Sequence, residues 1–294
     1  MMPRLFSSPH GGRAAPAILL QVALCVACAL AAAGCTTTVR SRADPLRAVS
    51  ASHGALTGDG ELRIAQTALQ SGDVELATNV FSHVVDADPH SVPALTGLGD
   101  TLYAVGDYTR ASVYYDKALS FQPTFVPALL GNARVAIQQR RLDAAIAGYR
   151  RILALTPDDT LAAAGLGAAL DLRGDHAAAQ QVLRDALRAH PGDPALDINL
   201  GLSLTMAGRP REGANVLLDV TRFPDAPPQA RQDLALAYGL LGNTDAAARI
   251  LSADLPKASV DDNLRYYALQ RARMAAPGST GSVGSAGSAA AAPQ

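Results

Sequence analysis

Two cysteines near the amino terminus have the spacing of a redox or metal-binding pair. Cys25 and Cys28 form a Cys-x-x-Cys motif, in which two thiolates can form a disulfide or bind zinc. Both cysteines, however, lie within residues 14–33, an almost uninterrupted apolar run. We therefore interpret the pair as part of a targeting segment and predict no redox or metal chemistry for it.

No catalytic or metal-binding pattern is formed by the histidines or by the aspartate pair Asp158 and Asp159. The six histidines have unrelated spacings: His10, His53, His83, His90, His176 and His190. We expect His83 and His176 to face solvent on helices. Asp158 and Asp159 follow Pro157 and are interpreted as the amino-terminal cap of the next helix. The sequence thus predicts a protein that is not an enzyme and binds neither a metal nor another cofactor.

The charge balance argues against nucleic acid as a partner. The chain has 25 Lys and Arg residues against 26 Asp and Glu residues, a formal net charge of −1. Nucleic-acid-binding proteins instead carry a basic face. Five arginines are close in sequence, and they form either a patch for an anionic partner or a solvated helix face. They are Arg134, Arg140, Arg141, Arg150 and Arg151.

The end of the apolar run resembles the signal of bacterial lipoproteins. Arg4 and Arg13 precede the run, which ends in LAAAGC at residues 30–35. The resemblance implies that residues 1–34 are removed as a signal peptide and that Cys35 then carries a covalent lipid. An uncleaved membrane anchor is the alternative, because about 20 apolar residues can span a bilayer.

The segment after the lipidation site predicts a tether. Residues 35–57 are polar, contain Pro45 and show no helical period, which is typical of a flexible linker. Thr36 stands where enteric-type lipoproteins carry the aspartate that retains them in the inner membrane. By this resemblance we expect a lipid-anchored protein at the outer membrane, facing the periplasm.

Residues 58–261 repeat a two-helix pattern every 34 residues. In the unit that begins at Val92, Leu95, Leu98 and Leu102 form one apolar stripe of a helix, and Gly106 interrupts the stripe before a second helix. Position 15 of the unit is glycine in every unit except the third, and positions 8 and 20 are always Ala or Gly. The units begin at Gly58, Val92, Val126, Thr160, Pro194 and Pro228.

Large residues at position 24 and prolines at position 32 complete the pattern. Position 24 is occupied by Phe81, Tyr115, Tyr149, Leu183, Leu217 and Leu251. A 34-residue unit with small residues at positions 8 and 20 and these two features resembles the tetratricopeptide repeat. The resemblance implies an all-α fold, a solenoid of six helix-turn-helix repeats over residues 58–261 in which each repeat packs on its neighbours.

The same resemblance implies a groove for a protein partner. In tetratricopeptide arrays, positions 2, 5, 9, 12 and 13 of the first helix line a concave face. Those positions in units three to six are mostly apolar, with Asp171, Gln229 and Gln232 interspersed, and each apolar residue is either a groove residue or inter-repeat core. The predicted groove residues are Leu130, Arg134, Ile137, Leu161, Leu172, Ile198, Leu202, Met206, Leu236 and Leu240.

The carboxyl end predicts one more helix and a tail. Ser259 and Asp262 have the spacing of a capping box, and Tyr267 lies on the apolar face of the helix that would follow, over residues 259–274. We interpret this helix as the cap of the solenoid. Residues 275–294 consist mainly of Gly, Ser, Ala and Pro without a charge, which is typical of a disordered tail.

The order of these segments resembles one family of pilus-assembly proteins. Residues 231–255, RQDLALAYGLLGNTDAAARILSADL, and residues 262–270, DNLRYYALQ, are similar to the carboxyl end of the TadD-like tetratricopeptide-repeat lipoproteins of tight-adherence (Flp) pilus assembly. The resemblance implies a pilotin-like factor for assembly or localisation of the pilus secretin. The implied partner is the secretin or another pilus component, with the membrane contacted through the lipid and no nucleic acid or small-molecule substrate.

Two other functions remain open at this point. An outer-membrane lipoprotein of this architecture that regulates cell-wall (peptidoglycan) enzymes would have the same segments. An enzyme with a hidden site is the third possibility, and it ranks last because the array has no inserted loop on which catalytic groups could be mounted.

Overall fold

The computed structural model describes residues 58–275, which form thirteen α-helices and no strand. The predicted signal peptide, Cys35, the tether and the tail from residue 276 lie outside the described residues. The helices are α1 Gly58–Gln70, α2 Val74–Ala87, α3 Val92–Ala104, α4 Tyr108–Phe121, α5 Val126–Gln138, α6 Leu142–Leu155, α7 Thr160–Arg173, α8 His176–Ala189, α9 Pro194–Met206, α10 Pro210–Thr221, α11 Pro228–Leu240, α12 Thr244–Leu251 and α13 Lys257–Ala275.

Helices α1 to α12 form six consecutive pairs, and the predicted all-α solenoid is confirmed. Each helix packs against the helix before it and the helix after it, and the first helices of successive pairs also touch one another. We call the surface formed by the first helices, α1, α3, α5, α7, α9 and α11, the first-helix face. Among residues 58–275 no helix is both long enough and apolar enough to cross a membrane.

The turn inside each pair uses a left-handed residue at position 15. The φ angle is +81° at Gly106, and the other glycines of the series lie between +79° and +93°. In the third repeat the residue is Arg140, with a φ of +59°. Its amide donates to the Ile137 carbonyl at 3.0 Å and the next amide to Ala136 at 2.8 Å, the helix-ending pattern that Gly106 also makes. The third repeat therefore has the same turn without the glycine that favours it.

The side chain at position 24 joins each repeat to the next one. Tyr115 is fully buried, and a methyl group added at Gly99 of its own repeat would lie 2.5 Å from the ring. A methyl group at Gly131 of the following repeat would lie 2.3 Å from the same ring. The five other residues at position 24 are at most 2% exposed. Glycine at position 8 of one repeat and at position 6 of the next thus makes room for the ring of Tyr115.

The last helix, α13, packs on α11 and α12 and begins earlier than we predicted. It begins at Lys257, so Ser259 lies inside its first turn and does not cap it. The amide of Val260 donates to the carbonyl of Pro256 at 3.1 Å, which makes the proline the first acceptor of the helix. Val260 and Tyr267 are each 5% exposed and attach α13 to the array.

Replacing Arg140 with glycine is expected to stabilise the array by about 1 kcal/mol, because glycine adopts a positive φ without strain. The measurement is the urea midpoint of unfolding. Arg150→Gly, at an exposed position inside α6, is the control and should destabilise, since glycine is unfavourable within a helix. An unchanged or lower midpoint for Arg140→Gly would contradict the strain at this turn.

Replacing Gly131 with alanine is expected to destabilise by about 1–3 kcal/mol, because the new methyl group overlaps the Tyr115 ring. This outcome reverses the usual benefit of alanine in a helix. Gly58→Ala is the matched control, since nothing lies within 4 Å of its added methyl group. Equal denaturation midpoints for the two variants would show that the ring does not limit the space.

Candidate partner-binding groove

All ten predicted groove residues lie on the first-helix face, but their exposure differs widely. Leu161 is 65% exposed, Met206 46% and Leu172 42%. Arg134 is also exposed. Ile198, in contrast, is only 6% exposed and packs with Val220 and Ala230 as core. The remaining residues are half-buried: Leu130, Ile137, Leu202, Leu236 and Leu240.

Helix α13 covers the first-helix face at the sixth repeat. Leu236 packs against the cluster that contains Val260 and Tyr267 of α13. A methyl group added at Gly239 would lie 2.4 Å from the Tyr267 ring, and Arg271 donates to the Gly239 carbonyl at 3.2 Å. The accessible surface of the predicted groove therefore lies mainly in repeats three to five.

Arg134 is held against an aromatic ring of the preceding repeat. Its guanidinium carbon is 4.2 Å from the centroid of the Tyr103 ring, a cation–π contact. Gln138, one turn further along α5, donates from Nε2 to the Tyr103 hydroxyl at 3.1 Å. The ring thus fixes the direction of a side chain that is otherwise among the most flexible.

Two buried tyrosines and one aspartate lie beside Arg134. The Tyr115 hydroxyl donates to Asp100 Oδ1 at 2.7 Å. Burial raises the pKa of Asp100, while Tyr115 and the charge of Arg134 oppose that shift. Burial likewise raises the pKa of Tyr149 to about 12, with Arg134 opposing. Both hydroxyls are neutral at physiological pH, so neither supplies a charge that could pair with Arg134.

Asp171 lies between repeats four and five and is withdrawn from the groove. It is 8% exposed, and its Oδ1 accepts a hydrogen bond from Ser203 at 2.8 Å and contacts His176 Nδ1 at 2.7 Å. Burial raises the pKa of Asp171, and the contacts with His176 and Ser203 oppose that shift. Our prediction that His176 faces solvent was therefore wrong, because its ring turns inward to this carboxylate, whereas the side chain of His83 is 60% exposed.

The register could have revealed these contacts. Tyr103 of repeat two and Asp171 of repeat four both occupy position 12, where the side chain meets the following repeat. The partner of Tyr103 is Arg134, at position 9 of repeat three, and the partner of Asp171 is Ser203, at position 10 of repeat five. A comparison of each position 12 with the next first helix would have paired them. These polar contacts join two repeats, so they are not visible in the residues of one repeat alone.

The other arginines of the sequence cluster contact neutral groups. Arg151 donates to the Pro123 carbonyl at 2.8 Å, and Arg141 donates to the Gln139 side chain at 2.9 Å. Arg150 is exposed on α6.

Of the aspartate pair Asp158 and Asp159, Asp159 caps α7 as predicted, since its side chain accepts a hydrogen bond from the Ala162 amide at 2.8 Å. Within residues 58–275 no three His, Cys, Asp or Glu side chains are placed to hold a metal ion.

Asp233 on α11 is a carboxylate enclosed between α11 and the capping helix. Its Oδ2 is buried and has no hydrogen-bond partner. Burial raises the pKa of Asp233 to about 7, and the Gln229 side chain offsets only part of this shift. The carboxylate also raises the pKa of Tyr267, whose shift comes mainly from burial. The attachment of α13 thus includes a group that prefers to be protonated.

The contribution of Asp233 to stability is expected to fall as the pH rises from about 4 to about 7, because the unfolded chain ionises Asp233 near pH 4 while the folded chain resists its ionisation up to about pH 7. Asp233→Asn should therefore be more stable than the wild type at pH 8 by about 2 kcal/mol. Urea unfolding at pH 4.5 and pH 8 measures the difference.

The control for this experiment is Asp225→Asn, which makes the same chemical change at an exposed position before α11. The stabilisation by Asp233→Asn should grow with pH. A difference from the wild type that is the same at both pH values would contradict the burial of an ionisable group at this position.

Comparison with known proteins agrees with the repeat architecture. Two family models described as tetratricopeptide repeat match residues 62–124 and 102–170. None of the curated proteins compared with the chain matches it. Among solved structures, a tetratricopeptide repeat protein from Parabacteroides merdae aligns with a TM-score of 0.63 at 14% identity, over 76% of this chain and 90% of that one.

Two further solved structures come from studies of pilus proteins. PilW, described as a widely conserved type IV pilus biogenesis factor, aligns with a TM-score of 0.62 at 18% identity, over 71% of this chain and 97% of that one. The pilF protein of Pseudomonas aeruginosa aligns with a TM-score of 0.59 at 16% identity, over 72% and 97%. At these identities the likeness extends to the fold alone. The described part of the chain is a tetratricopeptide-repeat solenoid, an architecture that serves protein–protein interaction.

Proposed function

We propose that this protein is a lipid-anchored scaffold of the outer membrane that faces the periplasm and acts as a pilotin-like factor for the Flp pilus secretin. The observation that carries the proposal is the row of exposed apolar side chains on the first-helix face, Leu161, Leu172 and Met206. Exposed apolar side chains in consecutive repeats form the kind of surface on which solenoids bind an extended or helical segment of another protein.

The anchoring part of the proposal rests on sequence. The residues LAAAGC at 30–35 would place a lipid on Cys35, and residues 35–57 would then tether the array to the membrane. The pilus part rests on the similarity of residues 231–255 and 262–270 to pilus-assembly lipoproteins. It is supported by two pilus proteins, PilW and pilF, that share the fold.

The test is recovery of partners from detergent-solubilised membranes by the full-length, lipidated protein. Leu172→Glu with Met206→Glu places two charges on exposed positions of the first-helix face without touching the core. The matched control is Val113→Glu with Leu155→Glu, which makes the same changes at exposed positions of the second helices α4 and α6. We expect the wild type and the control to recover the secretin, and the groove variant to lose at least about tenfold of it, because a buried unpaired charge costs more than 1.4 kcal/mol.

Two results would contradict the proposal in different ways. Recovery of cell-wall synthases in place of the secretin would favour the regulator of peptidoglycan enzymes. Equal recovery of the secretin by all three proteins would keep the pilus function but exclude the first-helix face as the binding surface.

A further inference from the structure

Arg134 is the one exposed charge among the groove positions of repeats two to six. At positions 2, 5, 9, 12 and 13 of these repeats the ionisable residues other than tyrosine are Asp100, Arg134 and Asp171. Asp171 is buried and Asp100 is half-buried. The rest of these positions are apolar or neutral, so Arg134 is the one exposed charge that they present, on a mainly apolar surface.

The guanidinium of Arg134 is positioned but not neutralised by an ion pair. It stacks on Tyr103 at 4.2 Å, and none of the ion pairs among residues 58–275 includes it. Stacking on a ring leaves the in-plane N–H donors of a guanidinium free, and these donors match the two oxygens of a carboxylate. Because the ring already restricts the side chain, little further entropy is lost when a ligand binds.

The nearest carboxylate of the protein is already engaged. Asp100 Oδ1 accepts the Tyr115 hydroxyl at 2.7 Å, and burial raises the pKa of Asp100. Asp100 Oδ1 is therefore occupied by Tyr115, and Asp100 forms no ion pair with Arg134. A partner carboxylate can approach from the exposed side of the guanidinium.

Apolar surface continues on both sides of Arg134. Leu130 and Ile137 lie one turn before and one turn after it on α5, and both are half-buried. Beyond them, Leu161 and Leu172 of the fourth repeat are exposed. Since Leu130 and Ile137 flank the guanidinium along α5, a segment that lies there has apolar contacts before and after the charge. This position suits an acidic side chain within a segment better than the end of a chain.

We propose that the first-helix face binds an apolar segment of a partner protein through the side-chain carboxylate of an Asp or Glu, which pairs with Arg134 while the flanking apolar residues contact Leu161, Leu172 and Met206. The inference rests on the proposed function, in which this face binds a protein segment. It adds the chemical class of that segment, which is apolar with one internal acid.

A library of random 12-residue peptides, panned on the full-length protein, supplies the probe. We expect the enriched peptides to share one Asp or Glu flanked by apolar residues. For the best peptide, Arg134→Gln should raise Kd by about tenfold or more, the usual effect of losing a charge-assisted pair. Replacing the acid of the peptide with its amide should have a similar effect, and the two changes together should cost little more than either alone.

Two variants make the measurement specific. Arg150→Gln removes the same charge from the second helix of the same repeat and should leave Kd unchanged. Arg134→Lys should recover only part of the affinity, because an ammonium group cannot form the two-oxygen pair.

Three results would overturn the inference. They are enriched peptides without an acid, a Kd that Arg134→Gln does not change, and peptides that need a free carboxyl terminus and no acidic side chain. If Leu172→Glu with Met206→Glu still abolishes binding of such peptides, the binding face proposed above stands and only the carboxylate pairing fails. If the wild type enriches no peptide, the inference fails, while recovery of the secretin still decides the proposed function separately.

Discussion

The fold depends on one large buried side chain per repeat, at position 24. Tyr115 shows the constraint most clearly, because its ring fills the gap at Gly99 in its own repeat and at Gly131, position 6 of the next repeat. One side chain therefore sets the spacing within its repeat and the spacing to the next repeat. The close fit explains why a small residue recurs at position 8 and a large one at position 24. The exposed positions of the first helices are free of this constraint and are available for binding.

The helices and their order were predictable from sequence because each one satisfies the same local rules. Position 15 shows how strict these rules are, since Arg140 adopts the positive φ that glycine supplies in the other repeats. The candidate site was less predictable. Ile198 is core although its register position is that of a groove residue, and Leu236 is covered by α13, which does not follow the repeat pattern. Burial at such positions depends on which side chains of the neighbouring helices pack against them.

The polar residues of the first-helix face have three different fates that composition alone does not distinguish. Asp171 is buried and engaged in contacts with Ser203 and His176, and Asp233 is enclosed under the capping helix. Arg134 stays exposed because an aromatic ring supports it and no acid pairs with it. Of these three residues, the structure leaves only Arg134 exposed and without an ion pair for a partner.

The hydrogen bond from Ser203 to Asp171 joins repeats four and five and has a mechanical consequence. Hydrogen bonds are short-ranged and directional, so a slide of about 1 Å between these repeats breaks the bond from Ser203 to Asp171. Position 12 of the third repeat is Ile137, which packs against an apolar cluster, and apolar contacts tolerate such a slide at lower cost. A slide between repeats four and five is therefore resisted by a directional contact as well as by packing.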